Sequence, residues 1–196
     1  ETMPVFDPEF ETFCDEHAKQ LAAGKEDPWL LGHFSDNELP LRPDPLTNFF
    51  KLPENDVGHR AARQWFDERL KSQDRRDGKI TDADQAAFGR LIAYRQWRKH
   101  AKGVRTVDPN HLYLGSRIHG RCLREATFRG ATPVDVVSVN YYHRWSAEPQ
   151  RMANWVRWSG RPLLVSEWYA QSLQSSKTEA SGAGFRVKSD RDRGLF

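Results

Sequence analysis

Apolar positions recur along the chain in two rhythms, and the switch between them defines the expected elements. Phe10, Phe13, Cys14, His17, Ala18 and Leu21 fall at helical spacing. Asp7-Pro8 with Glu9 and Glu11 supplies a helix start: an N-cap acid, proline at the first helical position and acids in the first turn. Gly24 suits a C-cap. Pro28 to Asn37 then reads as a short buried strand, with Trp29, Leu30, Leu31 and Phe34 leading into Asp36-Asn37-Glu38. Leu39 to Asn55 holds four prolines and no clean period, so 39–60 is expected to be a long ordered loop. Helical pattern returns from Asp56 through Ala61, Ala62, Trp65, Phe66 and Leu70, breaks over a charged helix–helix insertion at 71–81, and resumes from Thr81 through Phe88, Leu91, Ile92, Tyr94 and Trp97.

The second half alternates more regularly. Asp108-Pro109-Asn110 marks a turn, and His111 to Ser116 a strand ending at Arg117 and His119. Gly120 to Phe128 forms a short helix or turn. Val134 to Tyr142, rich in β-branched residues, is the clearest strand. Pro149 to Trp158 is a helix, and Arg161 to Tyr169 a strand with the shape of the first, an apolar Leu163-Leu164-Val165 run ending in Ser166-Glu167-Trp168. Gln171 to Ala183, rich in serine and glycine, reads as a mobile loop, and helical pattern begins again at the last residues.

Four strands alternating with helices predict an α/β fold with parallel pairing and crossover helices. Their continuous apolar character suits a sheet covered on both faces. In a parallel barrel the functional rim is formed by the C-terminal strand ends. All four strands end in chemistry-bearing groups: Asn37-Glu38, Arg117 and His119, Asn140-Tyr141-Tyr142, and Glu167-Trp168-Tyr169.

The bulk numbers narrow the function. A chain of 196 residues, 38% hydrophobic and 12% aromatic, suits one domain with a core. Its net charge of +3 and the absence of a basic stripe interleaved with stacking aromatics argue against nucleic acid. The basic cluster Arg95 to Lys102 reads as a solvated helix face. No apolar run reaches the roughly 18 residues of a membrane span. No signal peptide is visible, and the N-terminus reads as internal. Cys14 and Cys122 make neither a disulfide framework nor a metal spacing. Asp74 to Asp84 resembles a calcium loop only loosely: with Gly78 in the glycine position, Gln73 and Arg75 would fall where ligands belong. No metal or cofactor is expected.

Two carboxylates on one rim suit glycoside hydrolysis. One must be protonated to donate to the leaving oxygen, and the other ionised to attack the anomeric carbon; retaining enzymes hold the two about 5–5.5 Å apart. The plainer alternatives differ by residue. A lone glutamate after an apolar strand is usually a solvated strand end, and it is the matching context of Glu38 and Glu167 that points to catalysis. Trp155 and Trp158 suit the core and His33 a packed position. Trp145 stays open between a sugar platform and helix packing, and Arg117 between a functional role and a structural ion pair.

Asn37-Glu38 at a strand tip resembles the acid/base Asn-Glu pair that ends the fourth barrel strand of clan A glycoside hydrolases. Glu167 in LLVSEW resembles the nucleophile ending the seventh, and Asn140-Tyr141-Tyr142 the sixth strand. Three barrel units would separate strands four and seven by roughly 95 residues. Here the glutamates are 129 positions apart, the excess lying in the proline-rich stretch and the charged insertion. More narrowly, DPWLLGHFSDNELP, DPNHLYLGSR and GAGFRVKSDRDRG resemble β-agarases of the glycoside hydrolase family 50 type. The resemblance implies a partial (β/α)8 TIM barrel, about strands 4 to 7, spanning 1–196 as part of a catalytic domain. It implies a polysaccharide or oligosaccharide substrate and a secreted or periplasmic location. Glu38 would be acid/base and Glu167 the nucleophile. Asn37 would bind the hydroxyl beside the reacting carbon, and Tyr142, with Tyr141 as the alternative, would orient Glu167. Trp168, Trp145 and Tyr169 would offer stacking faces. Asn140, Arg117 and His119 would bind sugar hydroxyls or support a carboxylate. A β-galactosidase acting on small glycosides and a non-catalytic carbohydrate-binding relic are the competing readings.

Overall fold

A computed structural model describes residues 2–174 and 184–196. The helices begin where the polar signals place them. The Asp7 carboxylate accepts the Glu9 N–H, so α1 runs Glu9–Ala18, one residue later than expected, and passes into a 3-10 turn ending at Gly24. Asp56 caps α3 (Val57–Ser72), accepting from the backbone of Gly58 and His59. Thr81 and Asp84 form a reciprocal capping box at the start of α4 (Asp82–Val107), whose 26 residues outrun the expected end at Trp97.

The proline-rich stretch is not one long loop. It holds a short helix, α2 (Pro45–Phe50), and then the start of α3. Proline is tolerated at a first helical turn because its missing N–H would be unpaired there, and Pro45 occupies that place after Asp44. The charged 73–81 break does join two helices. Asp84 is fully buried there and paired with Arg69 at 2.5 Å and Arg75 at 2.8 Å.

The remaining elements are β1 (Gly32–Asn37), β2 (Leu112–Ile118), α5 (Glu125–Gly130), β3 (Val137–Asn140), α6 (Pro149–Ser159), β4 (Leu163–Glu167), β5 (Ala170–Ser172), β6 (Phe185–Val187) and α7 (Asp190–Leu195). Strands β1-β2-β3-β4 form one parallel sheet in that order, and β5 pairs with β6 in a small second sheet. One layer of helices runs beside the main sheet. Within it α4 packs on α1, α5 and β2, and α6 packs on α5 and β4. The core lies between, built on Trp97, Tyr113, Phe88, Phe128 and Trp155. Trp97 donates its indole N–H to Ser116 Oγ at 2.9 Å, tying α4 to β2. Trp155 is 1% exposed and Trp158 packs at the core's margin.

Three strand expectations need correction. The Trp29-Leu30-Leu31 run is a turn rather than strand: the Asp27 carboxylate accepts the Trp29 N–H at 2.9 Å, and the Trp29 side chain is 93% exposed. The stretch 134–142 contains only four strand residues: at Asp135 the side chain, not the backbone, takes the Tyr113 N–H and also pairs with Arg105, while the Asp135 N–H donates to the Tyr113 carbonyl. The strands are also not uniformly buried. β3 is, whereas β1 and β4 are the outer strands and are only partly covered. Of the expected 171–183 loop, Gln171 and Ser172 belong to buried β5, and 175–183 lie outside the described residues. The Arg95–Lys102 segment is two-faced rather than wholly solvated, since Gln96, Trp97, His100 and Ala101 are buried. Among the described residues, no helix is long and apolar enough to cross a membrane.

Candidate active site

Parallel pairing brings the C-terminal tips of four strands to one rim, with Asn37 opposite Arg117, Arg117 opposite Ser138, and Asn140 opposite Glu167. An exact pleat would alternate side chains from face to face, so a one-residue slip reverses which face each presents. The register slips in both glutamate strands. Across β1 and β2, Phe34 pairs with Gly115 but Asp36 with Ser116, leaving Ser35 as an extra residue; Leu114 is the compensating extra residue on β2. Across β3 and β4, Val139 pairs with Val165 but Asn140 with Glu167, leaving Ser166 extra. Such bulges re-aim the side chains that follow. Ser35 Oγ bonds to Asp36 at 2.7 Å and to the Tyr113 hydroxyl at 2.8 Å. Ser166 Oγ donates to the Val139 carbonyl at 3.2 Å and to Asn140 Oδ1 at 3.3 Å.

Glu38 sits one residue past β1. Its N–H still donates to the Arg117 carbonyl at 3.1 Å, but its φ is +53°. A non-glycine residue in that left-handed region costs on the order of 1–3 kcal/mol and concentrates at functional sites. The turn directs the carboxylate back over the sheet, where Oε1 accepts from Asn140 Nδ2 at 2.7 Å and Oε2 lies 3.6 Å from His119 Nδ1. Glu167 Oε2 accepts from Arg117 Nη1 at 3.2 Å, and the same guanidinium lies over the Phe34 ring. Tyr142 completes the group. Its ring meets His119 edge-on at 5.3 Å between centroids, and its phenol bonds to Glu167. Burial first, then that bond and the charges of Glu167 and Glu38, push the phenol well above its ordinary range.

Of the residues singled out from the sequence, Glu38, Asn140, His119, Tyr142, Glu167 and Arg117 therefore form one connected cluster. Tyr141 does not join it: it is buried against Trp155, with its hydroxyl 2.8 Å from Glu148. Asn37 is exposed beside Arg117, and Trp168 is 61% exposed. Trp145 is half exposed and packs on Phe185 and Phe196, away from the helix layer. The two bulge serines were not singled out. Serine directly or shortly before an acid carries too little signal to reveal a register slip.

Behind the rim, Asp36 is largely buried. That burial raises its carboxyl, while the Ser116, Ser35 and Gln96 side chains pull it the other way.

A parallel α/β unit with paired glutamates on its strand tips has relatives among the agarases and the glycoside hydrolases of family 50, and the chain is similar to these in sequence and in fold. No family model matches it. β-Agarase B of Vibrio sp. (strain JT0107) is 25% identical over 207 aligned positions, which cover 87% of this chain and 21% of that protein. The crystal structure of BpGH50 superposes with a TM-score of 0.84 at 29% identity, covering 98% of this chain and 44% of that one. An exo-β-agarase structure superposes at 0.78 with 24% identity, covering 97% of this chain and 30% of that one, a likeness of fold. The chain thus spans about a fifth of the curated relative's length and less than half of either solved chain.

Proposed function

We propose that this chain supplies the glutamate-bearing arc, strands 4 to 7, of a (β/α)8 barrel in a retaining glycoside hydrolase that cleaves β-galactosidic linkages of agarose-type galactan. The observation that carries the reading is the cluster in which Glu38 leans on Asn140 while Glu167 leans on Arg117 and Tyr142. The agarase relatives support the substrate class. Such a polymer is met outside the cytoplasm, so a secreted or periplasmic location accompanies the proposal.

The partners differ in charge. A neutral amide meets Glu38, and a guanidinium meets Glu167. That asymmetry supports Glu38 as the proton donor and Glu167 as the nucleophile. The Glu167 carboxylate attacks the anomeric carbon as Glu38 protonates the departing oxygen, giving a glycosyl ester. Glu38, now ionised, takes a proton from water, and the resulting attack on the ester releases Glu167. Arg117 and the Tyr142 phenol hold the Glu167 oxygens in line, a positioning that lowers the entropy cost of attack. Exposed Asn37 and Trp168 and half-exposed Trp145 are left for the sugar: Asn37 for the hydroxyl next to the reacting carbon, the indoles for ring faces. His119 reaches Glu38 and assists the proton donor.

In a protein carrying this unit, Glu167→Gln abolishes release of reducing ends from agarose while leaving oligosaccharide binding. Unchanged turnover overturns the nucleophile assignment. Turnover of nitrophenyl galactoside with none of agarose would move the substrate to small glycosides. Sugar binding with no turnover of either by the unaltered protein would make it a binding module.

A further inference from the structure

Three ligating side chains gather at the other end of the sheet, where the strands begin. His33 is the second residue of β1, His111 directly precedes β2, and Asp108 follows the last residue of α4. The Asp108 carboxylate is fully buried, and the two imidazoles are about nine-tenths buried. Backbone amides fix one of its oxygens: Oδ1 accepts from the N–H groups of Asn110 at 3.0 Å and His111 at 3.2 Å. The other oxygen, Oδ2, faces both rings, 2.6 Å from His33 Nε2 and 2.7 Å from His111 Nδ1. All three ligating atoms fall within 4.8 Å of one another. The far nitrogen of the second ring, His111 Nε2, lies 2.9 Å from the Asp27 carbonyl oxygen.

We propose that His33 Nε2, His111 Nδ1 and Asp108 Oδ2 form a binding site for a divalent transition metal ion of zinc type, distinct from the glutamate rim. The donor set is two imidazoles and one carboxylate, which suits zinc and its neighbours and is a poor match to calcium or magnesium. The surroundings are those of an oriented metal site. A ligating histidine donates its other N–H to a carbonyl or carboxylate, which fixes tautomer and ring orientation, and His111 has the Asp27 carbonyl in that place. The carboxylate is likewise held by backbone donors on Oδ1, which also lies 2.9 Å from His111 Nδ1. Zinc–ligand bonds of about 2.0–2.1 Å around a tetrahedron require a modest retreat of each ring from Oδ2. On uptake the ion replaces the imidazole protons that otherwise lie between ring and carboxylate, and those protons are released to solvent. A water completes the fourth position. Bound there, the ion staples 27–33 to the α4–β2 turn, a stabilising role at the end of the sheet where the strands begin, opposite the glutamate rim.

The test is equilibrium dialysis of the chelator-stripped chain against zinc chloride, with cobalt(II) as a spectroscopic stand-in. The expected result is one ion per chain, a higher melting temperature with zinc, and the intense visible bands of tetrahedral cobalt. His33→Gln and His111→Gln each weaken affinity by about 100-fold or more, at or beyond the upper end of what outer-shell changes produce. His17→Ala, which removes an exposed imidazole on α1, leaves affinity unchanged. A zinc titration of the unaltered chain followed by histidine ring NMR gives the same answer without any variant: His33 and His111 shift together. Lack of saturable uptake, or ring shifts confined to other histidines, overturns the site.

Discussion

Asn140 Nδ2 donates to Glu38 Oε1 at 2.7 Å, a bond that passes from the third strand to the first over the strand between them. Neighbouring strands lie about 4.8 Å apart, so the two backbones are roughly 9–10 Å apart and both side chains must lean inward to meet. A hydrogen bond to a charged carboxylate is worth about 1.5–3 kcal/mol. Asn140→Ala is therefore expected to lower kcat/KM on agarose roughly 10- to 150-fold. Circular dichroism checks that β3, which Asn140 ends, still pairs.

Tyr142→Phe removes the phenol from Glu167 but keeps the ring against His119. We expect kcat to fall about 10-fold or more, with oligosaccharide affinity little changed, from loss of one hydrogen bond to a carboxylate. Because its burial and neighbouring carboxylates push the phenol upward, Tyr142 stays a neutral donor through ordinary alkaline conditions. Any alkaline loss of activity should persist in the Tyr142→Phe protein, as a pH–rate profile will show.

Asp84 links the capping box of α4 to Arg69 and Arg75. Burial alone would raise its carboxyl, but the two guanidiniums and Thr81 outweigh it and hold the group far below the usual carboxylate range. Asp84→Asn takes the buried anion from both guanidiniums, leaving Arg75 only the more distant Asp77 at 3.7 Å. It should cost roughly 3 kcal/mol in denaturant unfolding, the low end for a buried pair because Arg69 and Arg75 keep some contact with water. The sign of the pH effect follows from the depressed carboxyl. The stability it contributes is present above the unfolded value near 3.9 and is lost only as pH falls through the much lower folded value. The wild-type contribution at this helix start should persist to pH 4.

His100 sits 5% exposed on α4, its ring edge-on to Phe10. Burial, then the nearby His17, lower its imidazole to about 4. A histidine depressed in the folded state contributes stability above its unfolded value near 6.5, and that contribution is lost as pH falls through about 4. Unfolding free energy should decline between those limits. The decline should flatten in His100→Gln, measured by denaturant titration across that range.

The elements were legible wherever a cap or a helical period was strong: Asp56 and Thr81 start the helices expected of them, and α6 falls within a residue of its expected limits. The gathering of Glu38, Asn140 and Glu167 was legible too, because strand tips converge in a parallel sheet whatever their distance in sequence. What stayed hidden depends on pairing across the chain. Trp29 and Leu31 are apolar enough for a strand, but a single Asp27 side chain turns the backbone before the sheet begins. Val134 to Val136 have strand composition, yet Asp135 is held by Arg105 and the Tyr113 amide from other elements. His33 reads alone as a packed histidine. Its companions are 75 and 78 positions away, Asp108 in a segment that announces a turn and His111 at the start of an expected strand.

The two long reaches, Asn140 to Glu38 and Arg117 to Glu167, each skip one strand and interleave over β2 and β3. Neither glutamate is gripped by its immediate neighbour alone, so the site behaves as a caliper laid across the sheet. Flattening or tightening the arc opens or closes both jaws together. A substitution on the helical layer, far from any sugar, that changes how α4 presses on β2 through Trp97 and Ser116 would thus be read out as altered catalysis.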